Sequence, residues 1–123
     1  MQPLSYDPSN IFARILRGEI PCKKVFEDDH VLAFHDINPQ TPTHVLVIPK
    51  GAYVSFDDFS ANASADEIAA FVRAAGLIAR EAGLAGPGYR VLSNIGNDGH
   101  QEVPHFHLHI FGGRPLGRMV PKD

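Results

Sequence analysis

The stretch that decides the fold is Pro104-His105-Phe106-His107-Leu108-His109-Ile110-Phe111, in which histidine alternates with apolar residues. Successive side chains of a β-strand point to opposite faces, so this alternation predicts a strand. One face would carry His105, His107 and His109, and the other would carry Phe106, Leu108 and Ile110. The apolar face is expected to pack in the core, which leaves the histidine face for chemistry.

A single metal ion does not explain the three histidines. The outer two backbone positions of such a strand lie about 13 Å apart, whereas zinc binds nitrogen at roughly 2.0 to 2.1 Å. His105 with His107, or His107 with His109, would supply half a metal site. A histidine-rich polar surface that responds to pH is the other simple explanation.

The pattern favours a phosphate or acyl site built around the middle imidazole, His107. Neighbouring imidazoles and partial burial both disfavour a positive charge on this ring. We therefore expect His107 to be neutral at pH 7, with a free lone pair that makes it a nucleophile. A backbone carbonyl is the usual partner of the other ring nitrogen.

Composition limits the classes of protein to which the chain can belong. Its 123 residues suit one domain, and its net charge of -3 without a basic stripe argues against a nucleic-acid polymer as partner. The lone cysteine, Cys22, predicts no internal disulfide and a reducing compartment. Residues 1–10 are polar and no apolar run reaches membrane-spanning length, so we expect a soluble, cytoplasmic protein.

Local signals predict the remaining elements. Asn10 is placed to cap a short helix over residues 11–17 that ends at Gly18, and residues 64–67 form a capping box that begins a longer helix ending at Gly83. The apolar stripe of that helix would consist of Ile68, Phe71, Val72, Ala75, Ile78 and Ala79. Strands are predicted over residues 23–27, 31–35, 42–49 and 88–95, of which the first two form a hairpin and the third is central.

Three features outside the histidine strand are candidates for the site. Asp36 follows a predicted strand, where its carboxylate suits either the hydroxyls of a ribose or an Asx turn before Pro39. His44 stands at the start of the central strand, where a lone histidine is usually structural. The glycines of loop 96–100 permit close approach of a ligand, although such loops are common. The tail over residues 112–121 is too rich in Gly and Pro for a regular element, and we expect it to dock on the domain.

These residues resemble the histidine triad (HIT) superfamily, and in particular its Hint branch. The triad is His105-Phe106-His107-Leu108-His109-Ile110. Further resemblances, in order along the chain, are Asn10-Ile11-Phe12, Phe26-Glu27-Asp28-Asp29, Leu32-Ala33-Phe34-His35-Asp36-Ile37, Pro42-Thr43-His44 and Val47-Ile48-Pro49-Lys50. The resemblance implies one α+β domain over residues 1–123, with a polar extension at 1–9 and an irregular tail at 113–123. It also implies a five-stranded antiparallel sheet, one long and one short helix, and a homodimer that joins two sheets.

The resemblance further implies hydrolysis of the bond to the α-phosphate of a purine nucleoside phosphoramidate, with no cofactor and no metal. His107 would be the nucleophile, flanked by His105 and His109, and His44 would complete the cluster. Asp36 would bind the ribose. Asn94, Gln101, Glu102 and Val103 would lie on the phosphate side, and the base would be enclosed by Ile11, Phe12, Ile15, Phe34, His35 and Ile37.

The sequence departs from the family pattern in three respects. Some relatives bind zinc through cysteines that would fall at Asn10 and Ala13, so that metal is not expected here. Glu102 replaces a serine and His100 a glycine, which leaves preference for the leaving group open. Two alternatives remain: a dinucleoside polyphosphate hydrolase of the Fhit type, and a nucleotide-binding regulatory protein with little turnover.

Overall fold

Five strands form one antiparallel sheet in the computed structural model, which describes residues 5–119. The strands are β1 (Lys24–Glu27), β2 (Val31–His35), β3 (Thr43–Pro49), β4 (Arg90–Leu92) and β5 (Leu108–Gly112). Their order across the sheet is β1-β2-β3-β5-β4. The helices are α1 (Ile11–Leu16), α2 (Phe56–Asn62) and α3 (Ala65–Glu81). The predicted α+β fold with a five-stranded antiparallel sheet is confirmed.

The central strand β3 separates two hydrophobic cores. Val45 and Val47 belong to the core on the α3 side, together with Phe71 and Ile78. Leu46 and Ile48 project to the other face and pack in a second core with residues that include Phe12 of α1. A strand covered on both faces must be apolar along its whole length. This explains the continuous apolar run of residues 42–49 and confirms its predicted central position.

The predicted helix ends are confirmed. Asn10 accepts a hydrogen bond from the backbone N–H of Ala13 at 2.9 Å, which caps α1. Ser64 and Glu67 form the reciprocal capping box at the start of α3. Beyond its C-terminal end, Gly83 adopts a φ of 77°, a left-handed conformation that other residues rarely adopt.

The histidine strand is shorter than predicted. Strand β5 begins only at Leu108, because the backbone before it bonds to other partners. The N–H of Phe106 donates to the carbonyl of Tyr53 at 2.7 Å, and the carbonyl of His107 accepts from the hydroxyl of Ser93 at 2.7 Å. The latter bond also ends β4 at Leu92, well short of the predicted residue 95. The alternation of faces is nevertheless kept, since Phe106 packs in the α3 core while His107 contacts Phe12 on the opposite side.

Two further predictions about the helices need correction. Val72 is 64% exposed, and Ala74 is buried on the inner face of α3 instead. Helix α2 is a second short helix where only one was expected, because its sequence lacks a helical apolar stripe and buries only Phe59. In the part of the chain that the structure describes, no helix is long and apolar enough to cross a membrane.

The described part of the C-terminal tail docks as predicted. The guanidinium of Arg90 donates to the carbonyl of Gly117, and that of Arg114 donates to the carbonyl of Gln40 at 3.4 Å. The remainder of the predicted tail, residues 120–123, lies outside the described residues, as do residues 1–4 of the predicted N-terminal extension.

Candidate active site

A cavity of about 540 Å³ opens beside the histidine segment. Helix α1, the end of β2 and the loop that precedes β5 form its wall. Most of the predicted site residues line it, namely Ile11, Phe12, Ile15, Phe34, His35, Asp36, Ile37, His44, Asn94, Glu102, Val103, His107 and His109. Two predicted residues, His105 and Gln101, are not part of this wall.

The ring of His107 is oriented by a backbone carbonyl. Its Nδ1 lies 2.7 Å from the carbonyl oxygen of His105. A carbonyl can only accept, so Nδ1 carries the hydrogen and Nε2 keeps a free lone pair. The edge of the ring is held by Phe12, with ring centroids 4.9 Å apart at 78°. The tautomer with hydrogen on Nδ1 and a free lone pair on Nε2 is the one that a nucleophilic imidazole requires.

Burial lowers the pKa of His107 below its ordinary value. Nearby carboxylates on Asp36 and Glu102 act in the opposite direction but do not overcome burial. The ring is therefore neutral at pH 7, as the sequence predicts. The expected contribution from crowded imidazoles is found at its neighbours instead: His107 lowers the pKa of His105 and of His109.

His105 lies behind His107, away from the cavity. Its side chain is fully buried, and burial lowers its pKa to about 4. Nε2 donates to the carbonyl of Pro49 at 2.8 Å, and Nδ1 lies 2.8 Å from the hydroxyl of Tyr6. Both nitrogens are thus engaged by protein atoms and the ring does not line the cavity, so His105 adjoins the predicted nucleophile without facing the cavity. Its carbonyl, not its ring, contacts His107.

His44 and His109 form a hydrogen-bonded pair at the other end of the row. Nδ1 of His44 accepts from the backbone N–H of Gln40 at 3.1 Å, so Nε2 of His44 carries the hydrogen. That Nε2 lies 3.0 Å from Nδ1 of His109, which must accept and so leaves the hydrogen of His109 on its own Nε2. Burial is the main cause that lowers both pKa values, that of His109 to about 4. His109 therefore presents an N–H donor beside His107.

Asp36 makes the predicted Asx turn and also faces the cavity. Its Oδ1 accepts from the backbone N–H of Asn38 at 2.8 Å, while Oδ2 lies 3.4 Å from Nε2 of His44. The two interpretations left open by the sequence are compatible, because the carboxylate uses one oxygen for the turn and presents the other to the site.

Asp36, His44 and His109 also bring three possible metal-ligand atoms within 4.8 Å of one another. The tautomer of His44 does not suit a metal. Its Nδ1 accepts from a backbone N–H, so its hydrogen occupies Nε2, the atom that would have to bind the ion. A metal-bound histidine instead donates from its outer nitrogen. The three residues fit a hydrogen-bond relay better than a metal site.

The side chain of Gln101 fastens the loop before β5, and its predicted position on the phosphate side needs correction. Its Oε1 accepts from the N–H of Gly96 at 3.0 Å, and its Nε2 donates to the carbonyls of Val54 and Val103 at 2.6 and 3.0 Å. Its backbone N–H donates to Gly96 as well, at 3.0 Å. Every polar group of this residue that could meet a phosphate is already used.

The cavity also contains residues that the sequence analysis did not place there. They are Ile20, Pro21, Cys22, Asn38, Gln40, Leu46, His100 and Phe111. Phe111 stacks on His109 with the rings 4° from parallel, a contact that the period of two along β5 would have indicated. The 20–22 segment carries no chemical motif, and only the tertiary fold brings it to the wall.

The sheet has counterparts in known proteins, and a sequence profile decides the family. The profile of the HIT domain matches residues 17–116. The chain belongs to the HIT family. A HIT-like protein of Azospirillum brasilense is 69% identical over 118 residues, which cover 96% of this chain and 97% of the relative. A protein of Escherichia coli named purine nucleoside phosphoramidase is 44% identical over 110 residues, with 89% and 92% covered.

A solved HIT-family structure shares the fold. A histidine triad protein from Clostridium difficile superposes with a TM-score of 0.79 at 43% sequence identity, and the match covers 89% of this chain and 95% of that one. The similarity extends over almost the whole of this HIT-family chain, so the five-stranded sheet and its helices are the family architecture.

Proposed function

We propose that this protein hydrolyses purine nucleoside phosphoramidates, releasing a nucleoside monophosphate and an amine. The observation that carries the proposal is the tautomer of His107, whose Nε2 lone pair lies on the cavity side because Nδ1–H is bonded to the His105 carbonyl. The similarity to a protein named purine nucleoside phosphoramidase supports the same substrate class.

The proposed reaction has two steps. Nε2 of His107 attacks the α-phosphorus, a P–N bond to histidine forms, and the P–N bond to the leaving amine breaks. The amine nitrogen takes a proton as it leaves, and in our proposal this proton comes from Nε2–H of His109. Water then attacks the same phosphorus and returns a proton to Nε2 of His109, while the bond to His107 breaks and the nucleotide leaves as the monophosphate.

The remaining wall residues suit a nucleotide. Apolar side chains at one end, including Phe34 and Ile37, would enclose the base, and the free oxygen of Asp36 would accept from a ribose hydroxyl. Asn94 and the backbone N–H groups of Glu102 and Val103 would bind the phosphoryl oxygens. Ile37 is 90% exposed in the protein, so its side chain is accessible to a base.

The charges of the cavity favour a phosphoramidate over a dinucleoside polyphosphate. Within the part of the chain that the structure describes, the wall contains two carboxylates, Asp36 and Glu102, and neither lysine nor arginine. A phosphoramidate carries one negative charge on its phosphorus, whereas a polyphosphate carries several and is usually bound by basic side chains. This argues against the Fhit-type alternative.

Steady-state kinetics with two substrates test the proposal. We expect kcat/KM for adenosine phosphoramidate to exceed that for diadenosine tetraphosphate by at least roughly 100-fold, because unpaired charges discriminate strongly. Equal or reversed values would favour the Fhit-type activity. Binding of AMP by calorimetry without turnover of either substrate would favour a regulatory protein.

We also propose a cytoplasmic homodimer in which the edge strands β4 of two copies pair. Strand β4 lies at the end of the sheet, and apolar surface is exposed by its own Val91 and by the nearby Tyr89 and Ile95. An uncovered edge of this kind readily pairs with another strand. Light scattering should give twice the chain mass of 13.4 kDa, and a value near the chain mass would contradict the dimer.

A further inference from the structure

Tyr6 belongs to the N-terminal extension and contacts the histidine row from outside the cavity. Its hydroxyl lies 2.8 Å from Nδ1 of His105, 99 residues further along the chain. The two rings meet edge to face, with centroids 5.6 Å apart at 62°. Nothing in the proposed chemistry uses Tyr6, because it does not line the cavity.

The direction of this hydrogen bond follows from the other side of the His105 ring. Nε2 faces the carbonyl of Pro49 at 2.8 Å, so Nε2 must carry the hydrogen. Burial keeps the ring neutral, with a pKa of about 4, so Nδ1 carries none. Tyr6 must therefore donate, and it is the donor that satisfies a buried acceptor.

Tyr6 is held in place by a turn that leads into α1. The carbonyl of Asp7 accepts from both the backbone N–H and the side-chain amide of Asn10, at 3.1 and 2.7 Å. The guanidinium of Arg17 donates to the carbonyl of Pro8 at 2.8 Å. Asn10 also caps α1, so the segment that carries Tyr6 is fastened to the same helix that carries Phe12.

A chain of direct contacts runs from Tyr6 to the proposed nucleophile. Tyr6 and Pro49 bond the two nitrogens of the His105 ring. The backbone carbonyl of His105 in turn accepts from Nδ1–H of His107 at 2.7 Å. Phe12 packs edge-on against both imidazoles, at 6.4 and 4.9 Å between centroids. A shift of His105 would therefore move the group that sets the tautomer and direction of His107.

We infer that Tyr6 is a positioning residue: its phenolic hydrogen bond fixes the ring and the carbonyl of His105, which orient His107 for attack. The kinetic part of this inference rests on the proposed phosphoramidase activity. The structural part does not, because it concerns hydrogen positions that exist in the protein without substrate.

The variant Tyr6→Phe removes the donor and keeps the ring. We expect kcat for adenosine phosphoramidate to fall about 10-fold, since small misplacement of a reacting group is costly. KM should stay unchanged because Tyr6 does not face the cavity. The Nδ1 proton of His107 should exchange with solvent more rapidly, which nitrogen-15 spectra of labelled histidines would measure.

Tyr53→Phe is the matched control. It also removes a phenolic hydroxyl that bonds a second side chain, here the carboxylate of Glu67 at 3.0 Å. Tyr53 bonds the histidine segment only through its backbone carbonyl, which accepts from Phe106, and the substitution keeps that bond. We expect this variant to keep the wild-type kcat and the wild-type exchange of His107 Nδ1–H, whatever its effect on stability.

Two results would overturn the inference. One is a wild-type spectrum in which His105 carries its hydrogen on Nδ1. The other is a Tyr6→Phe variant whose kcat and His107 proton exchange both equal those of the wild type. If the wild type turns over no phosphoramidate, the proposed function fails by itself, and the proton-exchange measurement still decides the role of Tyr6.

Discussion

The two ends of the histidine row are held in different ways. At the His105 end, both ring nitrogens bond protein groups and the side chain is fully buried. At the His109 end, one nitrogen bonds His44 and the ring lines the cavity. Burial lowers both pKa values to about 4, so protonation does not distinguish the two rings. Equivalent positions in one motif therefore have different surroundings: protein groups enclose one ring, and the other lines the cavity.

His107 lies between the two ends, and its replacement should have the largest effect. His107→Ala should lower turnover of adenosine phosphoramidate by roughly 10⁴-fold, as loss of a nucleophile does in other enzymes. Initial rates of AMP release measure this. His30→Ala is the control, because His30 is exposed in the β1–β2 turn and should not affect the rate. Full activity in His107→Ala would remove the basis of the mechanism.

Alanine variants of the two outer histidines should separate stability from rate. His105→Ala leaves a cavity and two unpaired polar groups, so it should lower the free energy of unfolding by about 2–4 kcal/mol. His109→Ala should cost only about 1 kcal/mol but lower kcat roughly 100-fold if this ring is the proton donor. Urea unfolding and kinetics on both variants give the comparison. Equal losses of unfolding free energy and of kcat in the two variants would show that the His105 and His109 ends do not differ.

The dependence of stability on pH should come from the buried histidines, with the largest share from His105. His105 has a pKa of about 4 when folded and an ordinary value of 6.5 when unfolded, so the unfolded chain binds more protons between these values. The free energy of unfolding should be level above pH 6.5 and fall below it, by up to about 1.4 kcal/mol per pH unit from His105. His109 adds less because solvent screens its more exposed ring.

Urea titrations at several pH values measure this slope. The variant His105→Gln should reduce this slope, and His30→Ala should leave it nearly unchanged. A wild-type stability that does not change between pH 7 and pH 5 would contradict the assignment of His105 as a buried neutral imidazole.

Replacement of Glu102, which lies in the cavity wall, should have the smallest effect of these variants. Its exposed carboxylate lies 3.1 Å from Nε2 of His100. Glu102→Gln should raise kcat/KM for diadenosine tetraphosphate about 3-fold at low salt, because one repulsive charge is removed, and the gain should shrink at high salt. Kinetics at two ionic strengths test this. A gain that salt does not change would indicate that charge is not the cause.

Local sequence signals sufficed for the elements whose cause is local. The caps at Asn10 and Ser64 and the apolar run over residues 42–49 each depend on neighbours in the chain, and all three were predicted. The alternation at 105–110 also identified the correct faces. It overestimated the length of the strand because Tyr53 and Ser93 form hydrogen bonds with the backbone around His107, and no local pattern encodes those contacts.

The site was predicted less completely because residues distant in sequence hold its side chains in place. The sequence could not show that both nitrogens of His105 are already bonded, one of them by a residue 99 positions away. Gln101 has a side-chain amide that could bind a phosphate, yet this amide donates to the carbonyl of Val54, which is 47 residues distant. The predicted cavity-lining side chains followed from motif positions, whereas segment 20–22 of the wall and the groups that hold other residues in place required the tertiary structure.

The central claim is that Nε2 of His107 becomes covalently attached to the nucleotide. The most direct test is to mix the enzyme with adenosine phosphoramidate, quench in acid-free denaturant within the first turnovers, and map the peptides by mass spectrometry. We predict the mass of an adenylyl group on the peptide that contains His107, and its absence from His107→Ala. Turnover without any such adduct, or an adduct on another residue, would contradict the account.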